Sequence, residues 1–209
     1  MAMTLSADTH FQRKIVFFNG LLPALLLILD SWRGKLGANP LEFVTRTTGV
    51  LTLVFLVLTL LVTPLRKIFG WNWLLKQRRL IGLLAFFYGF VHLLAYIVGD
   101  RDWRVLSIPD DVSKRPFIAI GMASLFLMVP LAITSTNAMI KRLGGKRWAL
   151  LHRLTYLVAI GGVVHYYMIV KSDIRYPVLF GIAIAVLLGY RAWVAWKKPN
   201  KPPAGPKES

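Results

Sequence analysis

Cysteine is absent from the 209 residues. Its absence excludes disulfides, thiolate ligation of haem, Cys-held iron–sulfur clusters and Cys-type zinc sites, so any metal chemistry falls to His, Met or carboxylates. Acidic residues are also scarce, 9 against 26 Lys and Arg. None of the nine lies in the last five of the six long apolar runs, where a proton relay would call for intramembrane carboxylates. The formal charge of +17 raises the question of nucleic acid. A basic face on a soluble module and a recognition motif are both missing, and the charges fall in the gaps between apolar runs, so nucleic acid is set aside.

What the chain has in excess is apolar side chain. It is 56% hydrophobic with a mean hydropathy of +0.57, above the roughly 45 to 50% apolar content of soluble domains. A membrane-spanning helix needs about 20 mostly apolar residues, and six runs qualify: Ile15 to Ser31, Gly49 to Leu65, Leu80 to Val98, Phe117 to Ser135, Leu150 to Val170, and Pro177 to Trp196. The short connections carry breakers: Gly34, Gly37 and Pro40, then Gly70, then Pro109 and Pro116, then Gly144 and Gly145. The first run follows Arg13 and Lys14 but offers no small-residue cleavage pattern after Leu29-Asp30-Ser31-Trp32-Arg33, so it reads as a retained helix. The expectation is an all-α integral membrane protein of six transmembrane helices, a single domain over 1–198. Residues 199–209, rich in Pro and Lys, read as a disordered cytoplasmic tail.

Basic residues set the expected orientation. The N-terminal segment, the second and fourth connections and the C-terminal end hold 17 of the 26 Lys and Arg, beside only Asp8 and Glu208. The other side holds 9 of them with Asp30, Glu42, Asp100, Asp102, Asp110, Asp111 and Asp173. The positive-inside rule then puts both termini in the cytoplasm, and the third and fifth helices run parallel, from inside to outside.

Three histidines, His92, His152 and His165, fall inside these runs. Imidazole is a common axial ligand of b-type haem, and an ionisable group in a membrane helix is costly enough to mark function. His92 and His165 have matching depth in the outer half of the bilayer, as a pair gripping one outer haem. His152, nearer the inner face, belongs to an inner site whose second ligand is missing: Arg79 stands thirteen positions before His92, with Arg78 and Gln77 beside it. The competing reading is that each histidine simply hydrogen-bonds a neighbouring helix, and for His152 both stay open. Thirteen steps also turn an ideal helix by about 140° between His152 and His165, so a bend, over-winding or a different approach by each haem is expected, with Gly161 and Gly162 permitting such adjustment and close packing. His10 reads as a solvated surface residue.

Arg78, Arg79 and Arg147 on the inner side are weak candidates for holding haem propionates or a flavin phosphate through charge-assisted forks. Topology signalling and headgroup contact explain the same residues. Thr134-Ser135-Thr136-Asn137 reads as a helix-end cap.

Gly20-Leu-Leu-Pro23, Leu36-Gly-Ala-Asn-Pro40, Thr63-Pro64-Leu65, Arg78-Arg79-Leu80-Ile81-Gly82, His92-Leu93, Thr134 to Met139, Lys146-Arg147-Trp148, Leu151-His152 and His165-Tyr166 follow one another in a specific order and spacing. In that order the chain resembles the haem-binding membrane subunits of the bacterial protein-methionine-sulfoxide reductase system, the MsrQ or YedZ family, within the ferric-reductase-like transmembrane domains. The resemblance implies a ferric-reductase-like bundle in the bacterial inner membrane, a haem-binding core at about 46–172, and one or two b-type haems on His92, His152 and His165. It also implies FMN, for which no fingerprint is visible. The expected role is to pass electrons from a quinol or a cytoplasmic flavin reductase to a periplasmic molybdopterin-containing subunit that reduces methionine sulfoxide in proteins. Substrate chemistry is then expected on that partner. The rivals are a stand-alone ferric reductase, whose outer Asp100, Asp102, Asp110 and Asp111 would attract cations, and a histidine-based proton channel or transporter.

Overall fold

The computed structural model describes residues 5–99 and 103–197. The expected tail at 199–209 and Asp100, Arg101 and Asp102, expected on the outer side, lie outside them. Nine α-helices and one short 3-10 turn are described: α1 Leu5–Trp32, α2 Pro40–Phe69, α3 Leu74–Gly99, the turn Val105–Ser107, α4 Ile108–Lys114, α5 Pro116–Ile133, α6 Asn137–Leu143, α7 Gly145–Leu151, α8 Leu154–Ile169 and α9 Arg175–Trp196. The breakers act where the sequence places them. Asn39 caps α2 by accepting from the Glu42 N–H, with Pro40 in the first turn where a missing N–H costs nothing. Gly70 ends that helix in the left-handed region at φ 71°.

Five helices are long and apolar enough to cross a membrane: Thr9–Trp32 of α1, then α2, α3, α5 and α9. The protein is a multi-pass membrane protein. The run expected as a fifth continuous helix, Leu150 to Val170, is not one helix. It divides at His152 and Arg153 into the end of α7 and the 16-residue α8. His152 and His165 therefore do not share one continuous helix, and the 140° relation of an ideal helix does not apply to them. Gly161 and Gly162 serve the close packing expected of them: a Cβ at Gly161 would run into Ser124 Oγ, and one at Gly162 would fall 2.9 Å from Leu53 Cδ2.

Four helices form a ring in the order α2, α3, α5, α8, each touching the next and α8 returning to α2. α1 packs on α3, and α9 on α8 and α2, outside the ring. Buried Tyr88 fastens α1: its hydroxyl donates to the Gly20 carbonyl at 2.6 Å and accepts from the Ala24 N–H at 3.3 Å. The early parts of α3 and α8 share one cavity wall with the late parts of α2 and α5, whereas His92 and His165 meet further along α3 and α8. Helices α3 and α8 thus run in the same direction across one diagonal of the ring, with α2 and α5 opposed to them.

Candidate functional site

His92 and His165 project from the diagonal helices α3 and α8 into the ring, where facing helices of a bundle build cofactor sites. Their ring centroids lie 6.0 Å apart with planes at 89°. Each is oriented by a backbone carbonyl. His92 Nδ1 is 2.8 Å from the Thr45 oxygen of α2, and His165 Nδ1 is 2.6 Å from the Phe117 oxygen of α5. A carbonyl only accepts, so both Nδ1 atoms carry the proton and both Nε2 atoms keep a lone pair.

That arrangement can be tested against a metal. A metal–imidazole bond is about 2 Å and the ring centre lies about 1 Å further on, so two imidazoles trans on one metal have centroids about 6 Å apart. The observed separation fits. Among the described residues no three of His, Asp and Glu gather as a site for a bare ion, so further ligands would have to come with the metal, as the four nitrogens of a porphyrin do. The donor set and its spacing fit a bis-imidazole haem.

His152 is placed differently. It ends α7, stacks on Trp148 with centroids 3.9 Å apart, and lies with Nε2 3.2 Å from Thr134 Oγ1. The Thr134 hydroxyl already donates to the Pro130 carbonyl at 2.6 Å, so it accepts from the His152 Nε2–H. His152 therefore offers Nδ1 as its lone-pair nitrogen, the reverse of the other two. It lines a cavity of about 560 Å³ among α2, α3, α5, α7 and α8, within the range of small-molecule sites. Arg78, Arg79 and Arg153 line the same cavity with an apolar wall from Leu56, Leu83, Phe86, Met128 and Leu131. Arg79 is steadied by Asn137 at 2.6 Å. Arg147 does not reach this cavity: it sits exposed on α7. His10 is exposed on α1, as expected.

Two of the outer acids are committed to structure. Asp111 is buried and takes the Tyr96 hydroxyl, while Asp110 pairs with Lys114 at 2.8 Å.

Residues 48–163 match the ferric-reductase-like transmembrane component family, a stretch that holds His92 and His152 and stops just short of His165. The chain is 48% identical over 191 residues to the protein-methionine-sulfoxide reductase heme-binding subunit MsrQ of Herminiimonas arsenicoxydans, covering 90% of this chain and 88% of that one. The subunit of the same name from Ralstonia nicotianae is 48% identical over 88% of this chain and 86% of its own length. That of Rhodospirillum rubrum is 47% identical over 86% of each chain.

The chain belongs to the MsrQ family.

In this MsrQ family member the three histidines and Arg78 and Arg79 were legible from residue type. The groups that aim them were not. Thr45 and Phe117 act through backbone oxygens, which no side-chain pattern discloses. Thr134 lay within a motif read as a helix-end cap and does cap the end of α5, as Thr136 caps the start of α6 by accepting from the Met139 N–H; its contact with His152 was not legible. Arg153, which lines the cavity beside His152, was not singled out from the sequence.

Proposed function

We propose that this MsrQ family member is a membrane electron-transfer subunit that holds a b-type haem between His92 and His165. The observation that carries the proposal is the 6.0 Å separation of two imidazoles whose Nδ1 atoms are both held by carbonyls. Bound there, the haem supplies a one-electron carrier. The chain's part is to hold both Nδ1 atoms on carbonyls, which leaves both Nε2 lone pairs free for the metal, and to surround the rings with low-polarity helix.

The cavity beside His152 is the inner site of this reading. Arg78, Arg79 and Arg153 would hold propionates or a phosphate, and His152 would offer its Nδ1. A second haem and FMN are the two groups the reading admits there. Both termini lie in the cytoplasm, and α8, the fifth crossing in chain order, brings the total to six across the bacterial inner membrane. The His92 and His165 level then faces the periplasm and the cavity faces the cytoplasm. Electrons arrive from a quinol or a cytoplasmic flavin reductase and leave for a periplasmic molybdopterin-containing reductase of methionine sulfoxide, consistent with the subunit name that the relatives carry.

The purified protein is expected to show a Soret band and a split α/β absorption on dithionite reduction, with haem per polypeptide counted as the pyridine complex. His92→Ala and His165→Ala each abolish the outer low-spin haem, whereas His152→Ala spares it. A colourless preparation from haem-replete cells, or outer haem retained in both His92→Ala and His165→Ala, would overturn the reading.

A further inference from the structure

The two histidine rings are met by the same device on opposite sides of the helix ring. His92 is held by the Thr45 carbonyl, and four residues later on the same helix stands Gly49. A Cβ built there would lie 3.1 Å from both Cε1 and Nδ1 of His92. His165 is held by the Phe117 carbonyl, and four residues later stands Gly121, where a Cβ would lie 2.7 Å from both Cε1 and Nδ1 of His165.

The spacing of four has a physical reason. In an α-helix the carbonyl of residue i accepts the N–H of residue i+4, so the residue four positions on lies directly over the oxygen an incoming imidazole must reach. Any side chain there stands between the ring and its acceptor. The other close glycine approaches differ in kind, because the Cβ positions at Gly20, Gly89, Gly99, Gly161 and Gly162 would meet Leu84, Leu125, Leu41, Ser124 and Leu53. Those are helix-packing contacts.

We infer that Gly49 and Gly121 are positioning residues for the two axial imidazoles, one per histidine, their missing side chains letting each ring seat its Nδ1 on the carbonyl one turn earlier. The two sites form a matched pair across the bundle: histidines on the α3 and α8 diagonal, carbonyl and glycine on the α2 and α5 diagonal. The inference rests on the reading that His92 and His165 take haem, and it adds which residues set the ring planes. Methyl groups at the two positions have unequal consequences. A contact of 2.7 Å cannot stand without displacing the ring, whereas 3.1 Å asks for a few tenths of an ångström.

The test uses the full chain, haem-loaded and purified in detergent, with ferric electron paramagnetic resonance and the midpoint potential as readouts. Perpendicular imidazole planes give a strongly anisotropic low-spin signal, and its anisotropy reports ring orientation rather than fold. Gly121→Ala is expected to lose the outer low-spin signal. Gly49→Ala is expected to retain haem but shift that signal and the potential. Gly181→Ala serves as control: a membrane glycine whose Cβ would make only an ordinary 3.5 Å contact with Val163, it should keep the wild-type spectrum. An unchanged signal in Gly49→Ala or in Gly121→Ala overturns the inference, as does an equal loss in Gly181→Ala. Absence of haem from the wild-type protein would instead remove the reading beneath it.

Discussion

At the scale of single residues, what separates the three bundle histidines is which nitrogen is occupied. His92 and His165 spend Nδ1 on a carbonyl and keep Nε2, while His152 spends Nε2 on a threonine hydroxyl and keeps Nδ1. At the start of α9 Asp173, which precedes the helix, pairs with Arg175, its first residue. The guanidinium binds the carboxylate through Nε and Nη2, both at 2.8 Å, and these hydrogen bonds hold the Asp173 carboxyl down at about 2 from an ordinary 3.8. A carboxyl depressed in the folded state contributes stability that is whole above 3.8 and is lost as pH falls through about 2. Because the pair is fully exposed, the contribution is screened and small. Arg175→Gln is expected to bring the Asp173 titration, followed by carboxyl carbon chemical shift, back toward 3.8 with no loss of helix content at neutral pH. An unmoved titration would mean that the helix end, and not the fork, depresses the group.

At the scale of elements, a proline and an arginine on different helices complete one another. Pro64 lies inside α2 and has no N–H, so the carbonyl of buried Leu60, one turn earlier, loses its helical partner. Arg191 of α9 supplies one: Nη2 donates to the Leu60 oxygen and to Thr63 Oγ1 at 3.0 Å, while Nη1 donates to the Leu187 carbonyl at 3.1 Å. An unsatisfied buried acceptor costs about 1 to 3 kcal/mol, so Arg191→Met is expected to destabilise the protein by about that amount in detergent melts. Pro64→Ala restores the N–H. The Arg191→Met loss should therefore shrink in the Pro64→Ala background, giving a coupling above about 0.5 kcal/mol. Additive losses would show that Arg191 works only through Leu187 and Thr63. Nothing in the sequence marks the two as a pair, since Pro64 lies near the end of one apolar run and Arg191 near the end of another. The long runs were legible because hydropathy alone fixes them. The break at His152 was not, because apolar composition continues from Leu150 to Val170 and no proline or glycine stands at the joint. His92 and His165 were found by residue type, but Gly49 and Gly121 look like any glycine in a membrane helix until the rings that cover them are in place.

At the scale of the whole molecule, the direction of electron flow rests on α8. Its 16 residues rise about 24 Å, short of the roughly 30 Å hydrocarbon core, so a crossing there has to be completed by the flanking turns at His152 and Arg153 on one side and at Val170 to Ser172 on the other. If α8 crosses, the α8–α9 connection shares a side with α4, the periplasmic side in the proposed orientation. If it does not, that connection lies on the side of α6, and the alignment of His92 with His165 on co-directional helices no longer corresponds to one bilayer depth. The absence of cysteine makes the question directly measurable, since any introduced thiol is the only one in the chain. Ser113, Lys141 and Ser172 are all exposed, on α4, on α6 and between α8 and α9. Ser113→Cys and Ser172→Cys are expected to react with a membrane-impermeant maleimide in intact spheroplasts, and Lys141→Cys only after lysis. Labelling of Ser172→Cys that also waits for lysis would leave the chain with five crossings and move the cytoplasmic face to the wrong end of α9.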